Sequence, residues 1–346
     1  MQHKLLLGST ALVSAGLLMS SGAQAQEMRV GGIEVVLGGY TEWGVKAATD
    51  DTLNDSGNNR NYLFYMDNEV FISANGATES GILYGSHVEL EVGSGDGNTD
   101  NAFVDEVGLF FSGNFGRIEL GREDGAEDVM GIGAADAQAG TGGIDGDTTN
   151  LVQFETPDSG DSNKATYFTP RIAGFQVGAS WTPDNGDGID DDTDGEQENI
   201  ISGGVNWVGA MGPADLTVAA TGTLGENEGD GDDLRSWDAG ALLGFGGLSV
   251  GGNFFQNTDL DELWGVAAGI KYGFGAANVS AGWVYNNVDD GDNSHLFAIS
   301  GDVGVLPGVT LKADGTYNTE DPGADADDPD DTDDTWAGVV SIQLDY

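Results

Sequence analysis

The chain has 346 residues, of which 39% are apolar and 9% aromatic, and it sets 59 acidic side chains against 11 basic ones for a formal net charge of -48. So many carboxylates would repel a phosphate backbone, which excludes a nucleic-acid partner. The absence of cysteine excludes disulfides, thiolate zinc sites and thiol nucleophiles. The apolar content is too high for a disordered chain, and no apolar run after residue 25 approaches the ~18 residues of a membrane helix.

Residues 1–25 have the parts of a secretory signal. An apolar segment follows Lys4 and ends in the small-residue motif Ala23-Gln24-Ala25. We therefore expect cleavage before Gln26 and export, with residues 26–346 forming one mature domain. The alternative is an N-terminal core helix, which the shortness of the apolar segment disfavours.

Glycine is unusually abundant, at 58 residues, and is spread through apolar segments rather than gathered in linkers. This distribution disfavours helices and favours strands that bend or pack closely. Alternation of apolar and polar residues between turn signals predicts sixteen strands. They are expected near 31–48, 61–75, 81–92, 102–112, 116–122, 164–170, 174–182, 200–208, 214–224, 235–245, 247–257, 263–273, 276–287, 294–304, 308–318 and 335–346. A short apolar patch at 151–154 is the alternative for a seventeenth.

The predicted connections alternate strictly between long and short, and most of the acidic residues fall in the long ones. The short ones include 113–115, 171–173 and 306–307. A sandwich or a propeller has no reason to sort its connections in this way. An up-and-down antiparallel barrel does, because alternate connections emerge at opposite rims.

The last predicted strand shows how the two faces differ. One face carries Trp336, Gly338, Val340, Ile342, Leu344 and Tyr346, and the other carries Ala337, Val339, Ser341, Gln343 and Asp345. A soluble sandwich would alternate in the same way. A membrane barrel is favoured because the polar faces are rich in Gly, Ser and Asn, as a wet lumen would be, and because aromatic residues gather near strand ends. Since sixteen closed strands enclose too wide a space for side chains to fill, the pattern predicts an all-β, 16-stranded antiparallel transmembrane β-barrel around a water-filled channel.

Several segments, in order along the chain, resemble a known family. They are DNEVFIS at 67–73, GILYG at 81–85, GNFGRIELGR at 113–122, YFTPRIAGFQVGASW at 167–181, and the aromatic C-terminal residue Tyr346. Together they resemble the general porins of bacterial outer membranes, in particular the alphaproteobacterial type.

The resemblance implies a location in the outer membrane, with short periplasmic turns, long acidic external loops, and lipid and lipopolysaccharide as surroundings. It also implies a homotrimer that the barrel assembly machinery inserts and that passes small hydrophilic solutes. The family's C-terminal assembly signal corresponds here to Val340, Ile342, Leu344 and Tyr346, although the family more often ends in Phe. The third long loop, at about 123–163, is expected to fold inward and narrow the pore.

In the family, carboxylates on that loop often face a basic cluster on the wall. The corresponding acidic candidates here are Glu123, Asp124, Glu127, Asp128 and Asp136, and the lumen-facing basic candidates are Lys46, Arg117, Lys271 and Lys312. Because the lumen-facing basic residues are few, we predict a preference for cations. Two alternatives stay open. The acids could be ordinary solvated loop residues, or the acidity could suit high salt, where the Debye length falls to roughly 3 Å at 1 M.

One acidic run resembles half of a calcium loop. Asp190, Asp192, Asp194 and Gly195 match its first part, but Ile201 stands where the bidentate Glu should be. We expect no required cofactor; the alternative is Ca²⁺ at these residues, where it would bridge the loop to lipopolysaccharide phosphates.

Enzymatic motifs are not found. After the signal segment only His87 and His295 remain as histidines, in different strands, and there is no nucleophile elbow or metal-binding helix motif. Two rival functions remain. A substrate-specific channel, for sugars for example, would need aromatic residues along the lumen, where only Tyr40 and Phe255 are candidates. A surface adhesin or structural barrel would instead use the acidic loops.

Overall fold

The computed structural model describes most of the chain after the predicted signal segment. The described residues are 26–30, 32–49, 61–91, 103–148, 155, 159–185, 197–227, 233–258, 263–287, 293–321 and 333–346. Residues 1–25, the patch at 151–154 and the calcium-like run at 190–195 lie outside these ranges.

Almost all of the described structure is strand. The strands are β1 Gln26–Val30, β2 Ile33–Ala48, β3 Tyr62–Ala77, β4 Leu83–Glu91, β5 Phe103–Gly113, β6 Gly116–Glu123, β7 Ser162–Phe168, β8 Phe175–Asp184, β9 Gln197–Met211, β10 Ala214–Asn227, β11 Leu234–Phe245, β12 Leu248–Asn257, β13 Trp264–Phe274, β14 Ala277–Asn287, β15 Asn293–Leu306, β16 Val309–Asp321 and β17 Asp333–Asp345. β2 to β17 coincide with the sixteen predicted strands, which confirms the predicted fold class. Their bounds also preserve the alternation of short and long connections.

The sheet closes because the last strand pairs with the second. β2 to β17 are antiparallel to their neighbours in sequence order, and β17 pairs with β2 from Asp345 against Tyr40 to Ala337 against Ala48. The short β1 pairs with the start of β2, with Gln26 against Leu37. β1 therefore lies in line with the end of β17, beside the start of β2. It does not add a strand to the circumference, so the closed barrel has sixteen strands.

The outer face of the barrel is apolar. Trp181, Val340 and Ile299 are exposed at 52%, 63% and 73%, while the intervening Ser180 and Ser341 are buried inside. An aromatic row crosses the outside from Trp237 to Trp336, with neighbouring ring centroids 4.5 to 6.3 Å apart. This is the expected surface of a barrel immersed in lipid, with aromatic residues at one interface. Among the described residues, no helix is long and apolar enough to cross a membrane.

Part of the inner face is also apolar, and it positions the functional site. Side chains of β12 to β15, together with Leu263 just before β13, form one buried cluster with two residues of the connection after β6. The members are Ala134, Ile144, Phe255, Leu263, Ala267, Val284, Leu296 and Ala298. Burial of this surface fixes a segment of chain against the inside of the wall.

Candidate functional site

The connection after β6 turns into the barrel. We call residues 124–161 the inner loop; it contains the helix α1 Ala126–Met130 and two 3₁₀ turns, Ala135–Ala137 and Gly143–Asp145. Its backbone N–H groups donate to side chains of the wall. The bonds run from Ala126 to Ser180 Oγ (2.7 Å), Ala134 to Asn253 Oδ1 (3.1 Å), Ala139 to Ser280 Oγ (2.8 Å), Gly140 to Asp302 Oδ2 (3.2 Å) and Thr141 to Asp314 Oδ2 (2.7 Å). The inner loop is thus held along β8, β12, β14, β15 and β16.

Glycine lets the inner loop lie directly on the wall. A Cβ atom on Gly240 would lie 1.8 Å from the carbonyl oxygen of Ile132, and one on Gly251 would lie 2.1 Å from that of Gly133. Real Cβ atoms do not approach oxygen so closely. These wall positions therefore require glycine for close packing of two backbones.

The far part of the inner loop reaches β2, β3 and β16. Tyr65 donates its hydroxyl to Glu42 Oε1 at 2.7 Å, and the same hydroxyl lies 3.3 Å from Asp147 Oδ2. Lys46 Nζ lies 3.7 Å from Asp147 and 4.5 Å from the centre of the Tyr65 ring. Lys312 Nζ lies 2.7 Å from Glu42 Oε2. These contacts fix the far part of the loop at β2 and β3, whereas the loop begins at the end of β6.

The two ends of the inner loop meet beside β6 and β7. Glu127, buried in α1, accepts hydrogen bonds at Oε1 from the N–H and hydroxyl of Ser159, at 3.0 and 2.9 Å. The buried ammonium group of Lys164 donates to the backbone oxygens of Glu123 and Gly160. Glu127 therefore closes the loop on itself.

The other predicted acids lie at or next to the inner loop. Glu123 ends β6, and its Oε2 lies 3.1 Å from Nε2 of His87. Asp124 and Asp128 are close neighbours at the start of the loop. Asp136 accepts a bond at 2.7 Å from the N–H of Gly133 and so shapes a turn of the loop.

The predicted bases are dispersed rather than gathered in a cluster. Lys46 and Lys312 lie near Asp147 and Glu42, as described above, and Lys271 donates to the carbonyl oxygen of Asp136 at 3.1 Å. Arg117 lies at the other end of β6 from the inner loop, where it pairs with Glu119 at 2.5 Å and covers the ring of Phe110. Arg117 is therefore not brought together with the loop acids.

Two lumen-facing acids of β5, Asp105 and Glu106, were not singled out from the sequence. His87 lies 3.4 Å from Glu106 as well as 3.1 Å from Glu123, and Asp105 precedes Glu106 at a bulge. A signal for them exists in the sequence. The outward apolar residues of β5 are Val104, Val107 and Leu109. The spacing of two residues that a regular strand requires is therefore interrupted between Val104 and Val107.

The environment of Asp124 disfavours its ionised form. Burial, together with the neighbouring carboxylates of Asp128 and Glu106, raises the pKa of Asp124 well above its ordinary value. Asp124 thus binds a proton far more tightly than a solvated loop residue would.

The four C-terminal signal residues share the lipid-facing side of β17. Val340, Ile342, Leu344 and Tyr346 are all exposed there, and the backbone of Tyr346 exchanges two 3.0 Å hydrogen bonds with Gly39. The end of the chain therefore takes part in closing the barrel. Its role as an assembly signal stays a prediction.

Comparison with known proteins agrees with this architecture. Residues 8–324 match the family model of the Gram-negative porins. A triple mutant of the Rhodopseudomonas blastica porin superposes with a TM-score of 0.65 at 17% identity, and covers 90% of this chain and 100% of its own. A double mutant of the Rh. blastica porin gives 0.64 at 16% identity, with the same coverage. These likenesses concern the fold. Curated protein sequences give no significant match. With its family model matched over most of its length, the chain belongs to the Gram-negative porins and is a channel protein of the outer membrane.

Proposed function

We propose that this porin is a general diffusion channel that prefers cations and passes ions and small hydrophilic solutes without catalysis. In this proposal the inner loop narrows the pore, and solutes cross in their hydration shells. Glu123, Asp128 and Asp136 contribute negative charge at or beside the inner loop, whereas Asp124 keeps its proton.

The observation that carries the proposal is the imbalance of lumen charge. Five lumen-facing cations lie in the described part of the chain, and each contacts a protein oxygen. They are Lys46, Arg117, Lys164, Lys271 and Lys312. Carboxylates on the wall and the inner loop outnumber them. A mobile cation therefore meets an excess of negative charge in the lumen.

A substrate-specific channel is less well supported. Phe255 is fully buried in the apolar cluster, so it offers no ring to a passing solute. Tyr40 donates its hydroxyl to Asp67 at 3.0 Å. These two aromatic candidates do not form a track along which a sugar could stack.

We further propose a homotrimer that associates through the face of β2 and β3. Thr41 and Asn68 lie directly opposite each other on the outer face, near the middle of their strands. Polar side chains at that depth are costly in lipid and are better accommodated against protein. Small outward residues such as Gly39 and Ala74 would allow a close approach of a second copy.

The proposed function is tested by recording single channels of the refolded mature protein in a planar bilayer under a KCl gradient. A reversal potential that favours K⁺, with conductance in steps of three, is the expected result. Asp128→Asn is compared with the wild type to measure how much the inner loop contributes. A folded, inserted barrel that carries no current would refute the channel and favour a structural or adhesive role.

A further inference from the structure

The lumen wall carries a second group of carboxylates, away from the strands that anchor most of the inner loop. The backbone anchors lie on β8, β12 and β14 to β16, whereas this group lies on β3 to β5 and at the end of β6. We call it the acidic wall, and it consists of Glu69, Glu89, Asp105, Glu106 and Glu123.

A bulge in β5 doubles the charge at one level of this wall. The register passes from Val88 opposite Val107 to Leu90 opposite Val104, so Asp105 and Glu106 together face the single residue Glu89. Val104 and Val107, on either side, are exposed on the outer face at 40% and 39%. The extra residue therefore brings two consecutive acids to the lumen side, which a regular strand could not do.

The side chain of Glu123, at the end of β6, lies across the neighbouring strand β5. A Cβ atom on Gly108, just after the bulge, would lie 1.5 Å from Glu123 Oε1, so the missing side chain makes room for this carboxylate. His87 lies between Glu123 and Glu106, at 3.1 and 3.4 Å. The single imidazole of His87 thus contacts two of the five carboxyl groups of the acidic wall, so the acids outnumber it.

No positive wall faces these acids among the described residues. Lys46 and Lys312 lie beside Asp147 and Glu42, and Lys271 is held by a loop carbonyl. A transverse field across the pore would need a basic surface on one side. The described lumen instead offers negative charge from both the acidic wall and the inner loop.

We infer that cations cross the constriction along the acidic wall, and that the bulged pair Asp105 and Glu106 sets the cation preference. The permeant class is small inorganic and organic cations. This inference rests on the proposed function and specifies which residues carry it. The inner loop then acts mainly to narrow the pore.

The test measures the permeability ratio of K⁺ to Cl⁻ for the double variant Asp105→Asn with Glu106→Gln. We expect the ratio to fall at least about twofold in 0.1 M salt, and the difference to shrink in 1 M salt, where the Debye length falls from about 10 to 3 Å. Asp215→Asn is the matched control. It removes an exposed carboxylate at the short-turn end of β10 and should leave the ratio unchanged. Glu89→Gln, opposite the bulge, provides a second variant with an intact β5.

The outcomes separate the two proposals. A conducting double variant and a conducting Glu89→Gln variant that both keep the wild-type ratio would overturn the inference while leaving the channel intact. A ratio that falls only in Asp128→Asn would place selectivity on the inner loop and also overturn it. If the inserted wild-type protein carries no current, the proposed function itself fails.

Discussion

The ammonium group of Lys312 lies 2.7 Å from Oε2 of Glu42, a carboxylate with 0% solvent exposure. The two residues belong to different ends of the chain, on β16 and β2, and β17 lies between these strands. Glu42 also accepts the hydroxyl of Tyr65, which touches the inner loop through Asp147. The Lys312–Glu42 pair therefore connects the strands at which the barrel closes to the Tyr65–Asp147 contact that holds the inner loop.

Lys312→Gln should destabilise the barrel by about 3 to 5 kcal/mol, because it leaves the buried carboxylate of Glu42 without its ion partner. The free energy of unfolding is measured by urea titration in lipid vesicles. The double variant Lys312→Gln with Glu42→Gln should recover most of the loss, since neither residue of the pair then carries a charge. If both variants were equally unstable, the ion pair would not be the cause.

Gly240→Ala should displace the inner loop, because the added Cβ would lie 1.8 Å from the carbonyl oxygen of Ile132. Overpacking of this kind costs about 1 to 3 kcal/mol. We expect a lower free energy of unfolding and a changed single-channel conductance. Gly315→Ala, where a Cβ meets nothing within 4 Å, is the matched control and should change neither. An unaltered conductance in Gly240→Ala would show that the loop is not fixed at this point.

Asp124→Asn should stabilise the barrel at neutral and alkaline pH. The raised pKa means that the folded state keeps a proton which the unfolded state releases above pH ~4. The unfolded state then binds fewer protons, so wild-type stability should fall as pH rises until the folded-state pKa is passed. The stability gained in Asp124→Asn should therefore grow over the same interval. Urea titrations at several pH values measure it, and a gain independent of pH would contradict the assignment.

Thr41→Trp should weaken assembly if the face of β2 and β3 contacts a second copy, because a large ring prevents close approach there. Ala268→Trp is the control. It introduces the same tryptophan side chain on the outer face of β13 and should leave assembly intact. The oligomeric state is measured by analytical ultracentrifugation in detergent. Equal behaviour of the two variants would locate the interface elsewhere.

The sequence predicts the strands well because alternation and turn residues are local signals. In β8 every second residue from Phe175 to Trp181 is apolar and every partner is small or polar, so both the strand and its faces can be recognised. The bulge at Asp105 is harder, because it appears only as one break in that period. Predicting it requires attention to the spacing between Val104 and Val107.

The role of the inner-loop acids could not be predicted in the same way. Glu127 and Asp128 are adjacent in sequence, yet Glu127 is buried against Ser159 while Asp128 lies beside Asp124. That difference arises from the return path of the chain from Ser159 to Lys164, which no local pattern encodes. The wall acceptors Ser180, Asn253 and Ser280 are equally inconspicuous, since small polar residues are common throughout the lumen face.

The anchors of the inner loop are mostly its own backbone N–H groups, and the wall supplies the side chains that accept them. Because the donors are backbone groups, a substitution at a half-buried position of the loop such as Asp128 or Ala135 leaves them in place. Mutation can therefore alter side chains along the inner loop while the hydrogen bonds that hold it persist, whereas the wall acceptors have no such freedom. The wall residues therefore fix the position of the loop, whereas the side chains of the loop can change and alter which solutes pass through the pore.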